Sequence, residues 1–271
     1  MKKIALTSLL AVFTASGAMA ANVIDGNPLY MPEENHFYSV TNVESHTKNA
    51  TPWSLGEEFG YGITDKWSVR LNTSASENNS FDNMAWDDFG LTTAYRVLDV
   101  DDWKLDLVGA YGLDPVWDDH RPFLDEDDTW YVWTAGIRGG YVAHDWTLAG
   151  HAYFNYMNSE SFNWNEDEGS EGIHALVLGL DGQYVFDSNW SVLGTVEYTG
   201  IMDKEWRGFP GAKVKNEGTW FGELGVNYNI DSTKYVGAYV NGSLNHHDGD
   251  NADEWGWDEG FGFGAKFGID F

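Results

Sequence analysis

From His36 to the last residue the chain repeats one pattern, in which apolar and polar residues alternate one by one between polar breaks. A period of two puts neighbouring side chains on opposite faces of a β-strand, so each such stretch can bury or wet only one of its faces. Trp67, Val69, Leu71 and Thr73 share one face, and Ser68, Arg70, Asn72 and Ser74 share the other. Phe89, Leu91, Tyr95 and Val97 repeat the arrangement, as do Trp133, Ala135, Ile137 and Tyr141, and Leu176, Leu178, Leu180, Tyr184 and Phe186. The last stretch, "GFGFGAKFGIDF", sets aromatic or small apolar residues against mostly glycine. Past residue 20 no apolar run reaches the roughly 20 residues a membrane helix needs, and a 3.6-residue period is almost absent.

A soluble β-sandwich also alternates, so the position of the aromatics decides the architecture. The short breaks Thr64 to Lys66, Leu98 to Asp102, Ala143 to Asp145, Asp187 to Asn189 and Asp231 to Lys234 are each followed by an aromatic, namely Trp67, Trp103, Trp146, Trp190 and Tyr235. The other breaks are long and acidic. Short turns at one end, long loops at the other and aromatic anchors where hydrocarbon meets water are the requirements of a closed barrel in a lipid bilayer. The predicted fold is therefore all-β, a closed antiparallel transmembrane β-barrel over residues 36–271. Five turns pairing strands, plus one strand before and one after, give about twelve strands, with ten or fourteen left open. Residues 21–35, with Pro28 and Pro32, read as an N-terminal tail on the turn side or as a segment tucked into the lumen.

Residues 1–20 read as a cleaved secretory signal peptide: Lys2 and Lys3, an apolar run from Ile4 to Phe13, and Ala18-Met19-Ala20 at the cleavage point. Fifteen basic against 43 acidic residues give a net charge of −28, which argues against nucleic acid as a partner. The lack of cysteine fits export through an oxidising compartment without disulfides.

The signal peptide, the amphipathic strands and the terminal Phe271, preceded by Ile269, Phe267 and Phe263, resemble those of bacterial outer-membrane β-barrel proteins of the porin-like type. The resemblance implies the outer membrane of a Gram-negative bacterium, contact with its lipid and lipopolysaccharide, and Phe271 as a signal read by the barrel assembly machinery. Twelve-stranded members include passive channels, omptin proteases and a phospholipase, and no full motif of any one subfamily is present.

The inward face carries the functional information. Its candidate pore-lining residues are Arg70, Arg96, Lys104, Asp106, Arg138, His151, Asp181, Glu197, Glu223 and Lys266. In a ring of twelve strands the arginines would face Glu197 and Glu223 across the lumen. Either the two walls stay apart and set a transverse field in a water-filled pore, or their side chains meet and close it. The open pore is the expectation, because counting from the turns puts the two walls at different heights. The predicted function is a passive channel for small hydrophilic solutes, cationic or neutral. The alternative is a closed barrel whose acidic, Trp-rich loops form a surface interaction or adhesion module.

Asp118, Asp119 and His120 in "WDDH" could activate a water, as an outer-rim Asp/His protease of omptin type would, but enzyme activity is not expected. Asp248, Asp250 and Asp253 are spaced as weak Ca²⁺ ligands, yet Ala252 breaks the calcium-loop pattern. His246-His247 reads as exposed loop. Apart from such weak Ca²⁺ binding, no cofactor is expected.

Overall fold

The structure is a computed structural model that describes residues 27–47, 53–77, 84–115, 129–159, 173–186, 189–201, 204–205, 213–214, 218–249, 252–256 and 260–271. Residues 1–20, read above as a signal peptide, and the loop with Asp118, Asp119 and His120 lie outside the described residues, as do Asp250 and the side chains of His246, His247, Asp248 and Asp253.

Fifteen strands are formed among these residues: β1 (Phe37–His46), β2 (Ser54–Thr64), β3 (Trp67–Glu77), β4 (Met84–Val100), β5 (Trp103–Pro115), β6 (Thr129–Val142), β7 (Trp146–Ser159), β8 (Ile173–Val185), β9 (Trp190–Ile201), β10 (Lys204–Glu205), β11 (Lys213–Val214), β12 (Gly218–Asn229), β13 (Lys234–Gly249), β14 (Ala252–Gly256) and β15 (Phe261–Asp270). The two-residue strands β10 and β11 pair only with each other, and β14 folds back on the far end of β13. The remaining twelve form one antiparallel ring, with β9 joined to β12, β12 to β13, and β15 placed between β13 and β1. Closure leaves the twelve-stranded ring without a free edge, which a bilayer demands because it offers no water to an unpaired backbone group. At the seam the Phe271 amide donates to the Phe37 carbonyl at 2.8 Å.

The turns are tight for local reasons. Asp101 takes a left-handed conformation between β4 and β5, with φ of 51°. Here β4 runs on to Val100, so the break is shorter than Leu98 to Asp102, and a register shift between Arg96 and Leu98 leaves both Val97 and Leu98 facing out. In the turn before β13 the Thr233 amide and hydroxyl donate to Asp231 Oδ1 at 2.8 and 2.9 Å. These donors, the amide foremost, hold the Asp231 carboxyl below its ordinary range. A carboxyl lowered by folding favours the closed turn above its unfolded range, and that support is lost as pH falls through the depressed value.

Trp67, Trp103, Trp146 and Trp190 all project outward at the turn end, with Trp103 57% exposed. They meet neighbouring rings to make a belt, Trp103 with Tyr141, Tyr141 with Trp146 and Trp190 with Tyr228, at centroid separations of 5.3, 5.3 and 4.8 Å. Tyr235 is not part of that belt. It is 1% exposed and points into the barrel, where it packs with Tyr38 and Val40. The strand begins one residue earlier than the aromatic suggests, at Lys234, and this shift of one residue turns Tyr235 to the opposite face.

Candidate functional site: the charged lumen and its occupant

The lumen holds the chain's own N-terminal segment. Before β1 the backbone turns back at Asn35, whose φ is 65°, and its amide donates to the Gly62 carbonyl at 2.8 Å. Only a glycine fits at position 62, since a Cβ there would stand 1.9 Å from the Glu33 carbonyl oxygen. Pro32, Met31 and Leu29 are then buried inside the ring. Met31 packs against Ala94, Val108, Tyr153 and Val177, inward residues of four different strands. Tyr30 meets Tyr38 edge to face at 5.9 Å. Of the two positions open to the tail in the sequence, residues 27–32 thus take the lumen, and Glu33 to Asn35 are exposed at its turn end.

Two arginines grip this segment by its backbone. Arg96 Nη2 donates to the Leu29 carbonyl at 2.5 Å, and Arg138 donates from Nη2 to the Tyr30 carbonyl at 3.1 Å and from Nη1 to the Pro28 carbonyl at 3.5 Å. The same two guanidiniums share Asp106 on the intervening strand. Arg96 Nε lies 2.8 Å from Asp106 Oδ1, and Arg138 Nε lies 2.9 Å from Oδ2. A guanidinium has five donors in a rigid fork, so each can bind a carboxylate along one edge and a peptide carbonyl along another.

Arg70 lies beside this cluster, with Nη1 4.0 Å from Glu58, and Tyr38 donates to the same carboxylate at 2.7 Å. Lys104 sits at the rim and is bound to Asp99 at 2.7 Å. Directly beside Arg138 in the ladder stands His151 on β7, whose Nδ1 is 2.9 Å from Asp181 and whose Nε2 is 2.9 Å from Glu197, so that the ring donates to both when both nitrogens carry protons. Thr195 donates to the second Asp181 oxygen at 2.9 Å, and Tyr153 stacks on the His151 ring at 4.8 Å. Lys266 on β15 reaches Glu223 on β12 at 2.9 Å, across the intervening β13, and stands 4.3 Å over the Tyr239 ring.

The predicted pore-lining residues therefore all face inward, but the arginines do not confront Glu197 and Glu223 across open water. Each charge finds a partner on its own or a nearby strand, because Asp106 and Glu58 lie within reach and the far wall does not. Sequence reasoning missed Glu58, Tyr38, Tyr153 and the peptide carbonyls of residues 28–30. For the side chains a signal was present, since large inward residues sit opposite inward glycines. Tyr38 covers Gly60, Tyr235 covers Gly268, Tyr239 covers Gly264 and His151 covers Gly179, and in each case a Cβ on the glycine would overlap the ring. These side chains lie along the wall rather than across the lumen.

No protein-family model matches the sequence, and no curated protein matches it. The similarity that exists is structural. The NanC porin superposes with a TM-score of 0.55 at 8% identity, over 86% of this chain and 98% of that one. The translocator domain of the autotransporter NalP from Neisseria meningitidis gives 0.55 at 11%, over 98% and 96%. An outer-membrane channel from Pseudomonas putida F1 gives 0.53 at 13%, over 92% and 98%. This is the fold of the bacterial outer-membrane β-barrels. At such identities the likeness speaks for the fold, and the barrel's chemistry must be read from its own residues.

Proposed function

We propose that this barrel is an outer-membrane channel for small hydrophilic solutes, narrowed from within by residues 27–32. The observation that carries the reading is the chemistry of the lumen. Arg70 Nη1, Asp88 Oδ1, Glu197 Oε1 and Glu223 Oε2 are buried and have no hydrogen-bond partner in the chain. Polar atoms so placed are normally met by water, which supports a lumen that carries water around the apolar contacts of Met31. Two of the superposed barrels, the NanC porin and the channel from Pseudomonas putida, carry names of the same kind. The net charge of −28 favours cationic or neutral solutes over anions.

The buried segment gives some weight to the second reading, a closed barrel serving as a surface interaction module. Planar-bilayer recording of the refolded chain separates the two. A steady ion current is expected from the full chain, with a reversal potential in a salt gradient on the cation side. A larger unitary current is expected once residues 27–35 are deleted. Silence from both proteins would sink the channel reading and leave the interaction module.

A further inference from the structure

The outer surface of the barrel carries one feature that neither a pore nor a lipid contact accounts for. Glu57 on β2 faces outward, in the same register as Leu55 and Phe59, both exposed to the hydrocarbon. It lies midway between outward Trp53 and outward Tyr61, four residues from each. At roughly 3.3 Å per residue along a tilted strand, this puts the carboxyl near the centre of an apolar band about 25 Å tall. Around it the wall is small and hydroxylic. Ser39 and Thr41 of β1 donate to its two oxygens at 2.5 and 2.6 Å, and Thr73 of β3 lies directly opposite in the ladder. The far side of the barrel at comparable depth presents Ile137, Leu178, Leu180 and Val196. Of the outward basic residues described, Lys234 opens β13 and His174 is the second residue of β8, so both sit toward strand ends.

An ionisable group in hydrocarbon costs several kcal/mol unless protein covers it, and small residues flanked by polar side chains are what close packing in a membrane uses. We propose that the outer face of β1 to β3 around Glu57 binds a second copy of this chain. Two barrels inserted in the same sense can be related only by an axis along the membrane normal, and such an axis preserves depth. A twofold through this face therefore brings the Glu57 patch of one copy to the Glu57 patch of the other with no further adjustment, the isologous contact commonest in homo-oligomers. The carboxyl groups and the Ser39 and Thr41 hydroxyls of both copies then lie together, shielded from lipid. No ion pair is involved, so added salt leaves the contact intact.

The chain has no cysteine, so single cysteines report cleanly. Val43→Cys beside the patch and Leu178→Cys on the far wall are oxidised in outer-membrane vesicles, with heat-modifiable migration confirming that each barrel is folded. A disulfide-linked dimer is expected from Val43→Cys and not from Leu178→Cys. Adding Glu57→Leu should lower the dimer yield roughly tenfold, while Glu57→Gln, which keeps both a donor and an acceptor, should preserve it. Equal cross-linking at the two sites, an adduct with a different protein only, or a dimer indifferent to Glu57→Leu would each overturn the proposal. Should Glu57→Leu fail to fold, the contrast between Val43→Cys and Leu178→Cys decides alone.

Discussion

Replacing Asp106 with alanine is expected to destabilise the barrel by about 3 to 5 kcal/mol, because it leaves two buried guanidiniums without their shared carboxylate. Asp106 is 0% exposed, and Arg96 and Arg138 approach it from the strands on either side. Their attraction to Asp106 offsets both their desolvation and their mutual repulsion. The peptide carbonyls of Pro28, Leu29 and Tyr30 are neutral and cannot replace that charge. The measurement is the urea midpoint for the barrel refolded in lipid vesicles, followed by tryptophan emission from the belt. A change of less than about 1 kcal/mol, the range of exposed ion pairs, would show that water already screens the cluster.

The second large effect concerns two adjacent residues on β8. Leu178 is 46% exposed on the lipid face, so Leu178→Arg should cost about 2 to 4 kcal/mol near the midplane. From alternation alone Val177→Arg should be far milder, since that position faces a lumen. The structure corrects this expectation. Val177 is 0% exposed and packs on Met31 of the N-terminal segment, so an arginine there must displace the segment. Val177→Arg is therefore expected to cost about 1 to 3 kcal/mol as overpacking. It should lose most of that cost in a chain lacking residues 27–35, whereas Leu178→Arg should cost the same in both backgrounds. A double-mutant cycle on unfolding free energies reads the difference. Coupling at Leu178 with none at Val177 would mean that β8 is turned the other way.

The architecture was legible because the solvent imposes it. Lipid outside and a polar interior force a period of two on every strand, and the belt forces aromatics to the strand ends, so the inward register of Arg70, Arg138 and Glu197 follows from counting. Tyr235 shows where counting fails, since one residue of uncertainty in a strand start inverts a side chain. The partners of the lumenal charges were beyond reach for a different reason. Whether Arg96 meets Asp106 or Glu223 depends on strand order, tilt and side-chain length, none of which alternation encodes. The grip on residues 28–30 left still less trace, because backbone carbonyls are the same in every sequence. Glu57 was visible in principle as an acid in the outward register of a strand with little other amphipathic signal.

The seam between β1 and β15 has a consequence for how the barrel comes together and apart. Every other neighbouring pair in the ring is joined by a local connection, whereas the partners Tyr38 and Asp270 lie at opposite ends of the chain. Joining ends roughly ten times farther apart than in a hairpin costs about 2 kcal/mol more in chain entropy. Both strands are also short, and every second residue along much of β15 is a glycine. The seam is thus the one line in the ring that has to close the whole chain on itself, as the clasp of a bracelet does. The segment that occupies the lumen leads directly into β1, so the clasp and the occupant move together. Opening the wall at this one line would carry Met31 and its neighbours with it.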